Sequence, residues 1–358
     1  MSVAFAIDPS ALNTHAKTLR TLSDAVPPAT SYVATNLSLT IVDTAFLFAK
    51  ALDAANQTKD AIRPYLTDLA NSLDLSADEL DATATRSIEL DDAIERDLDA
   101  AYPEPVERGT PMSVPTSRAV YVKPSPPGDA LVTPAGEPPS DLVSVILTTD
   151  WLSPSTVVAQ ILDWIFDWNY LDEISKKFSG DWNSLFRVTH ALESLKGYHV
   201  SQSENIGYAM SVGANTWTGQ GADAANAFFT EMARLVREAG DEIGTLAPEF
   251  EVVARGMHDT AALVADLFAQ ILDAAIAAAF FYIAGTVLVE TVVGTVIGYL
   301  AGTGTLAYMA WLAHEAYDVV QSALLFFDAL GAGVAVFAQF LAGGVELPKP
   351  LPYDNPTV

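Results

Sequence analysis

Five histidines, His15, His190, His199, His258 and His314, are the side chains whose ordinary pKa lies closest to neutrality. No two stand three or four residues apart, the spacing that sets two imidazoles on one helix face over a metal. No H-E-x-x-H occurs either. Isolated in this way, each is expected at the surface or at a helix cap rather than as a ligand. Cysteine is absent, which removes disulfides, thiolate metal sites and cysteine nucleophiles. There is no G-x-S-x-G and no Walker loop, and Gly302-Thr303-Gly304 lacks both a third glycine and a preceding strand. The 45 carboxylates against 18 Lys and Arg give a formal net charge of −27. An acidic helical surface accounts for them, and nothing singles out an acid/base pair. The same charge argues against nucleic acid or anionic lipid held through a basic patch. The expectation is a protein with no catalytic residue, no cofactor and no metal, and so not an enzyme.

The most informative spacing is structural. Trp217-Thr218-Gly219 lies between two long amphipathic patterns, SLFRVTHALESLKGYHVSQSENIGYAMSVGAN before it and QGADAANAFFTEMARLVREAGDEIGTLAPEFEVVARGMHD after it. Gly219 can take a backbone conformation closed to other residues, so the chain can reverse there. Trp217 has apolar surface enough to wedge between two helices. Gly221, Ala222, Ala224 and Ala225 let the second helix come close to the first, and Phe228 follows them. This pattern resembles the WXG helical hairpins of type VII (ESX) secretion. The resemblance implies export cargo that acts as an interaction or scaffold protein.

The elements that must position this turn fall into five stretches. Residues 1–102 contain no glycine, and their apolar spacing reads as helix. Asp8-Pro9 marks a start, with Asp as N-cap and Pro at the first helical position. Breaks are expected near Pro27-Pro28 and around Ser72 to Ala77. Ser76 and Glu79 form a capping box for a last helix ending near Ala101. In it, Ser87, Asp91, Ile94 and Leu98 share one stripe. This unit resembles the EspC-like family of ESX-associated proteins. The resemblance implies an export signal here: an aromatic or apolar residue, an acidic one four later, then apolar positions three and seven beyond. Asp91, Ile94 and Leu98 fit, whereas the leading position is Ser87. The shifted register Ile88 and Asp92 puts Glu95 in an apolar slot, and no Tyr-x-x-x-Asp or Tyr-x-x-x-Glu exists in the chain.

Residues 103–150 form a linker with ten prolines between Pro103 and Pro139, expected to be extended and semi-rigid between two folding units. Residues 151–258 hold an aromatic-rich short helix (Trp164, Phe166, Trp168, Tyr170), a cap at Ser179-Gly180-Asp181 and the WXG hairpin. Residues 259–345 have no Lys or Arg, and Thr291–Ala313 and Ala329–Val345 are uncharged. The first of these runs would span about 34 Å, enough for a bilayer core. Gly294, Gly298 and Gly302 recur every four residues, a face suited to close packing in membranes. Against this, Asp259, Asp266 and Asp273 recur every seven, so the approach helix has a wet face, and no basic flank sets an orientation. A soluble form with these helices buried is favoured, with acidification as a possible route into a membrane. Residues 346–358 are a Pro-rich tail.

These readings combine into an all-α, elongated chain of helical hairpins, of the four-helix-bundle type, with a long apolar C-terminal segment. One WXG hairpin leaves an apolar face open. Either residues 1–102 fold back onto it, or a separate WXG protein or a second copy covers it. The partners implied by the resemblance are the type VII machinery and that WXG-type partner or self. A membrane is the further candidate partner, and the implied location is outside the cell or at its envelope. The alternative function is a membrane-active effector or pore former working through the C-terminal apolar helices.

Overall fold

In the computed structural model, residues 6–39, 46–101, 123–135, 177–213, 217–285, 304–343 and 345–350 are described. They are almost entirely helical. The helices are α1 (Pro9–Asp24), α2 (Val26–Asn36), α3 (Phe46–Ala101), α4 (Asn183–Gly213), α5 (Gln220–Gly285) and α6 (Thr305–Gly343). Two-residue strands β1 (Ala6–Ile7) and β2 (Trp217–Thr218) pair antiparallel. The fold is all-α, and its length comes from α3 and α5, about 84 and 100 Å at the usual helical rise.

Local chemistry sets the helix starts. The Asp8 side chain accepts from the Ser10 N–H at 2.9 Å, and Pro9 opens α1. Pro27 falls at the start of α2, which turns the chain after Ala25. The expected break at Ser72–Ala77 is absent, because α3 runs unbroken through it. Ser76 is buried and its hydroxyl donates to the Ser72 carbonyl at 2.6 Å, a mid-helix use of the same side chain.

Helices α1 and α3 are antiparallel. Arg20 reaches Asp78 at 2.7 Å and Asp81 at 2.5 Å, and the Ser23 hydroxyl donates to the Ala70 carbonyl. Helices α4 and α5 form the second antiparallel pair, with Ser203 donating to the Ala233 carbonyl and Lys196 paired with Asp241. The α1/α3 pair packs on this hairpin. Gln202 on α4 donates to the Leu22 carbonyl at 3.0 Å, and the Tyr65 and His199 rings stand 5.6 Å apart. The open face of the hairpin is thus covered from within the chain, the first of the two pairings that the sequence permits.

Linker residues 123–135 lie along α4 rather than free of it. Ser201 and Asn205 donate to the Ser125 carbonyl, and the Tyr32 hydroxyl donates to the Val132 carbonyl at 2.6 Å. This stretch straps α2 to α4.

Helix α6 buries one seam, running from Met309, Leu312 and Ala316 to Val334, Phe337 and Leu341 in steps of three and four. That is a coiled-coil spacing, and the seam packs on α5 and α3. Trp182, fully buried, ties the three regions together, edge-on to Phe48 of α3 and 6.1 Å from Phe327 of α6. Beyond α6, Val345 and Leu347 are buried and the Pro348 carbonyl accepts from Ser72.

One carboxylate sits awkwardly in the α5–α6 seam. The Glu249 carboxylate, the free end of a flexible side chain, lies against Gly333, and its buried Oε2 has no hydrogen-bond partner. Desolvation raises its pKa above the ordinary value. A raised carboxylate pKa penalises the fold when the group is charged, and the penalty fades as pH falls. Glu249→Gln is therefore expected to stabilise the chain slightly at pH 7, by less than a fully buried carboxylate would because solvent screens part of the charge. Urea midpoints measured from pH 7 to pH 4 should show that advantage shrinking. Acidification tightens this contact rather than loosening it.

Candidate functional site

The WXG turn is built by three local effects. Gly219 has φ 112°, a conformation that disfavours any side chain, which lets the strand Trp217–Thr218 turn directly into α5. The Asp223 N–H closes the first turn on the Gly219 carbonyl at 3.0 Å. Across from it, Ala6 pairs with Thr218 and Ile7 with Trp217. Trp217 is half-buried in this bridge and packs on the edge of the core, held by the chain's own N-terminal strand.

The bridge brings the starts of α1 and α5 side by side. Asp8 caps one and Asp223 lies in the first turn of the other, so each N-terminal dipole meets an acidic side chain. Between them is a cleft of about 290 Å³, walled by Leu12, His15, Met210, Trp217, Gly219 and Asp223 among others. His15 is only 5% exposed, 4.8 Å from the Phe229 ring, and its Nε2 has no partner. Burial lowers its pKa to about 4, so the ring is neutral at physiological pH.

The Ser87–Leu98 stripe of α3 is at the same end. Because α3 runs antiparallel to α1, its C-terminal turns pass the start of α1. From Asp81 to Ala101 α3 extends about 30 Å, whereas Arg20 back to Pro9 covers about 16 Å. Ala84 is the last fully buried residue of α3 among the described side chains. Asp91 is exposed and Ile94 is 48% exposed, an apolar side chain on an acidic arm. Ser87 is half-buried, with its hydroxyl donating to the Thr83 carbonyl at 2.8 Å. Leu98 is on α3, its side chain outside the described residues. Gly294, Gly298 and Gly302 lie outside the described residues altogether.

A second polar cluster was not legible as such. His199 is fully buried, and Nδ1 faces the Leu195 carbonyl at 2.8 Å, so the ring hydrogen is on Nδ1 and Nε2 is bare. Burial holds its pKa at about 4. Beside it the buried Tyr65 hydroxyl and Gln202 Oε1 also lack partners, while Gln202 Nε2 donates to the Tyr198 hydroxyl at 2.7 Å. The expectation of surface histidines is thus corrected for His15 and His199. Both lie between the N-terminal helices and the hairpin, His15 against Phe229 and His199 against Tyr65. His190 and His314 are exposed as expected. Among the described residues no three His, Asp or Glu side chains are grouped to hold a metal ion.

No family model, no curated protein and no solved structure matches this chain.

Proposed function

We propose that this chain is a substrate of a type VII secretion system that acts as a helical interaction or scaffold protein and carries no catalytic payload. The observation that supports this most is one of placement. The WXG turn and the Ser87–Leu98 stripe, far apart in sequence, stand at one end of one bundle, with Asp91 and Ile94 open to solvent. Export machinery could read both at once. The chain's own α1/α3 pair takes the part of a separate WXG partner, so export needs no second hairpin.

The reading predicts distinct outcomes for variants of this end. Ile94→Asp and Asp91→Ala leave the fold intact, because both side chains are outside the core, and cut the amount in culture filtrate at least about tenfold with normal cellular levels. Trp217→Gly, which also removes packing at the edge of the core, lowers the filtrate level as well when compared at matched cellular levels. Filtrate levels unchanged in all three would remove the stripe and the turn from the export mechanism.

A second reading has an observation of its own. Helix α6 is the most apolar of the described helices, and its outer face leaves Leu325 67% and Val336 68% exposed. With α5 it is long and apolar enough to cross a membrane. Exported protein would then act on a lipid surface. Flotation with neutral phosphatidylcholine liposomes at pH 7 and pH 5 tests this, and protein left at the bottom of the gradient at both pH values rejects it.

A further inference from the structure

Helix α6 carries a second seam, on the side turned away from α5 and α3. Leu325, Ala329, Ala332, Val336, Gln339 and Gly343 follow one another in alternating steps of four and three, and each is exposed. This is the heptad spacing of a helix that packs along another helix, and no described residue covers it. The seam itself holds no charge. Asp328, on its flank, is turned to Lys50 of α3 at 3.7 Å. Towards the start of α6 the same stripe continues through Ser322 to Asp318 and Glu315, both exposed.

Size and charge select the occupant. Run antiparallel to itself about a two-fold axis level with Val334, the seam sets Leu325 on Gly343, Ala329 on Gln339 and Ala332 on Val336 of the other copy. Each layer joins a longer side chain to a small one, the alternation that lets facing helices interlock without voids. Run parallel and in register, the same seam sets Leu325 on Leu325 and Gly343 on Gly343, and Glu315 and Asp318 each meet their like. The antiparallel arrangement carries both carboxylates past the end of the other helix. A net charge of −27 opposes contact between copies wherever carboxylates stand, and this seam has none. A lipid surface makes no use of alternating size. Neither Lys nor Arg occurs between Arg255 and Lys349 to hold a lipid phosphate.

We propose that the chain forms a two-fold symmetric dimer by antiparallel pairing of the α6 outer seams from Leu325 to Gly343, with Ala332 of each copy against Val336 of the other. The contact is about 27 Å long at the helical rise, small for a protein interface, which suits a dissociation constant in the micromolar range. This pairing does not depend on export.

Sedimentation equilibrium of the full chain at pH 7.5, from about 1 to about 100 µM, tests the pairing. A monomer–dimer equilibrium is expected, tightening several-fold from about 0.05 to about 0.5 M NaCl as repulsion between acidic copies is screened. Ala332→Glu sets a carboxylate at the centre of the seam without touching the core. It should weaken the dimer at least about tenfold and leave the helical circular-dichroism signal of the monomer unchanged. Orientation is read from cysteines, which the chain otherwise lacks. On oxidation, Ala329→Cys mixed with Gln339→Cys should give the mixed disulfide and little of either like-with-like product. Like positions stand about 15 Å apart along the antiparallel pair, beyond disulfide reach. A monomer at every concentration, a dimer indifferent to Ala332→Glu, or a predominance of like-with-like disulfides overturns the pairing. So does a monomer that floats with phosphatidylcholine liposomes and loses flotation in Ala332→Glu, an outcome that assigns the seam to lipid.

Discussion

Between pH 7.5 and pH 5 the fold should lose about 2 kcal/mol of stability through each of His15 and His199, and about 3 kcal/mol each by pH 4. The sign follows from burial. Each folded-state pKa is lowered to about 4 from an ordinary 6.5, so the unfolded chain binds a proton that the folded chain refuses. The stabilisation is complete above pH 6.5 and is lost as pH falls towards 4. Both rings stand at the junction between the N-terminal helices and the hairpin. His15 of α1 meets Phe229 of α5, and His199 of α4 meets Tyr65 of α3. The decisive comparison is between the parent and the variants His15→Phe and His199→Phe. In urea unfolding at pH 7.5 and pH 5, each variant should lose about 2 kcal/mol less than the parent. The contributions should add, because the two rings rest on different neighbours, Phe229 for His15 and Tyr65 and Tyr198 for His199. Equal pH dependence in parent and variants would mean that both rings accept a proton without opening the junction. The α5–α6 contact responds in the opposite sense through Glu249, so acid should part the N-terminal helices from the hairpin before it parts α6 from α5.

The second large effect contrasts two glycines. At Gly240 a Cβ would stand 2.5 Å from the Cβ of His199 and 3.4 Å from the Lys196 carbonyl, so α4 and α5 touch backbone to backbone there. Gly240→Leu should cost about 3 kcal/mol or more, since neither neighbour is the free end of a flexible side chain. Gly207, on α4, has nothing near the same position. Gly207→Ala should instead stabilise by roughly 0.5–1 kcal/mol, the helix-propensity gain alone. Thermal midpoints moving in opposite directions would establish the crossing point. A neutral Gly240→Leu would mean that the hairpin packs more loosely than its backbone separation requires.

These cases show what was legible in the sequence. The Asp8-Pro9 start, the turn at Gly219 and the wet face at Asp259, Asp266 and Asp273 rest on local rules, and each is found as expected. The supposed break at Ser72–Ala77 failed for a tertiary reason. Buried Ser72 and Ser76 are accommodated inside α3 by a back-bond to the helix and by the returning tail. Small residues flanking the WXG turn pointed to close helix approach near Ala224 and Ala225. The tight contact lies further along α5 at Gly240 and Gly244, against Lys196 and His199. Spacing within α5 holds that pair four apart, but only the partner helix makes it a crossing. Of the candidate site, the turn and the arm were legible as separate motifs. Their juxtaposition was not, because it depends on α1 and α3 being antiparallel and on β1 pairing with β2. The cleft was hidden for the same reason: its walls come from α1, α4 and α5.

The most direct test of the export reading follows the tagged full chain into culture filtrate of its native host, with and without the type VII export ATPase. The account predicts protein in the filtrate only when the ATPase is active, and the same amount inside the cell in both strains. Equal filtrate levels in the two strains, or retention in the membrane fraction of both, would contradict it.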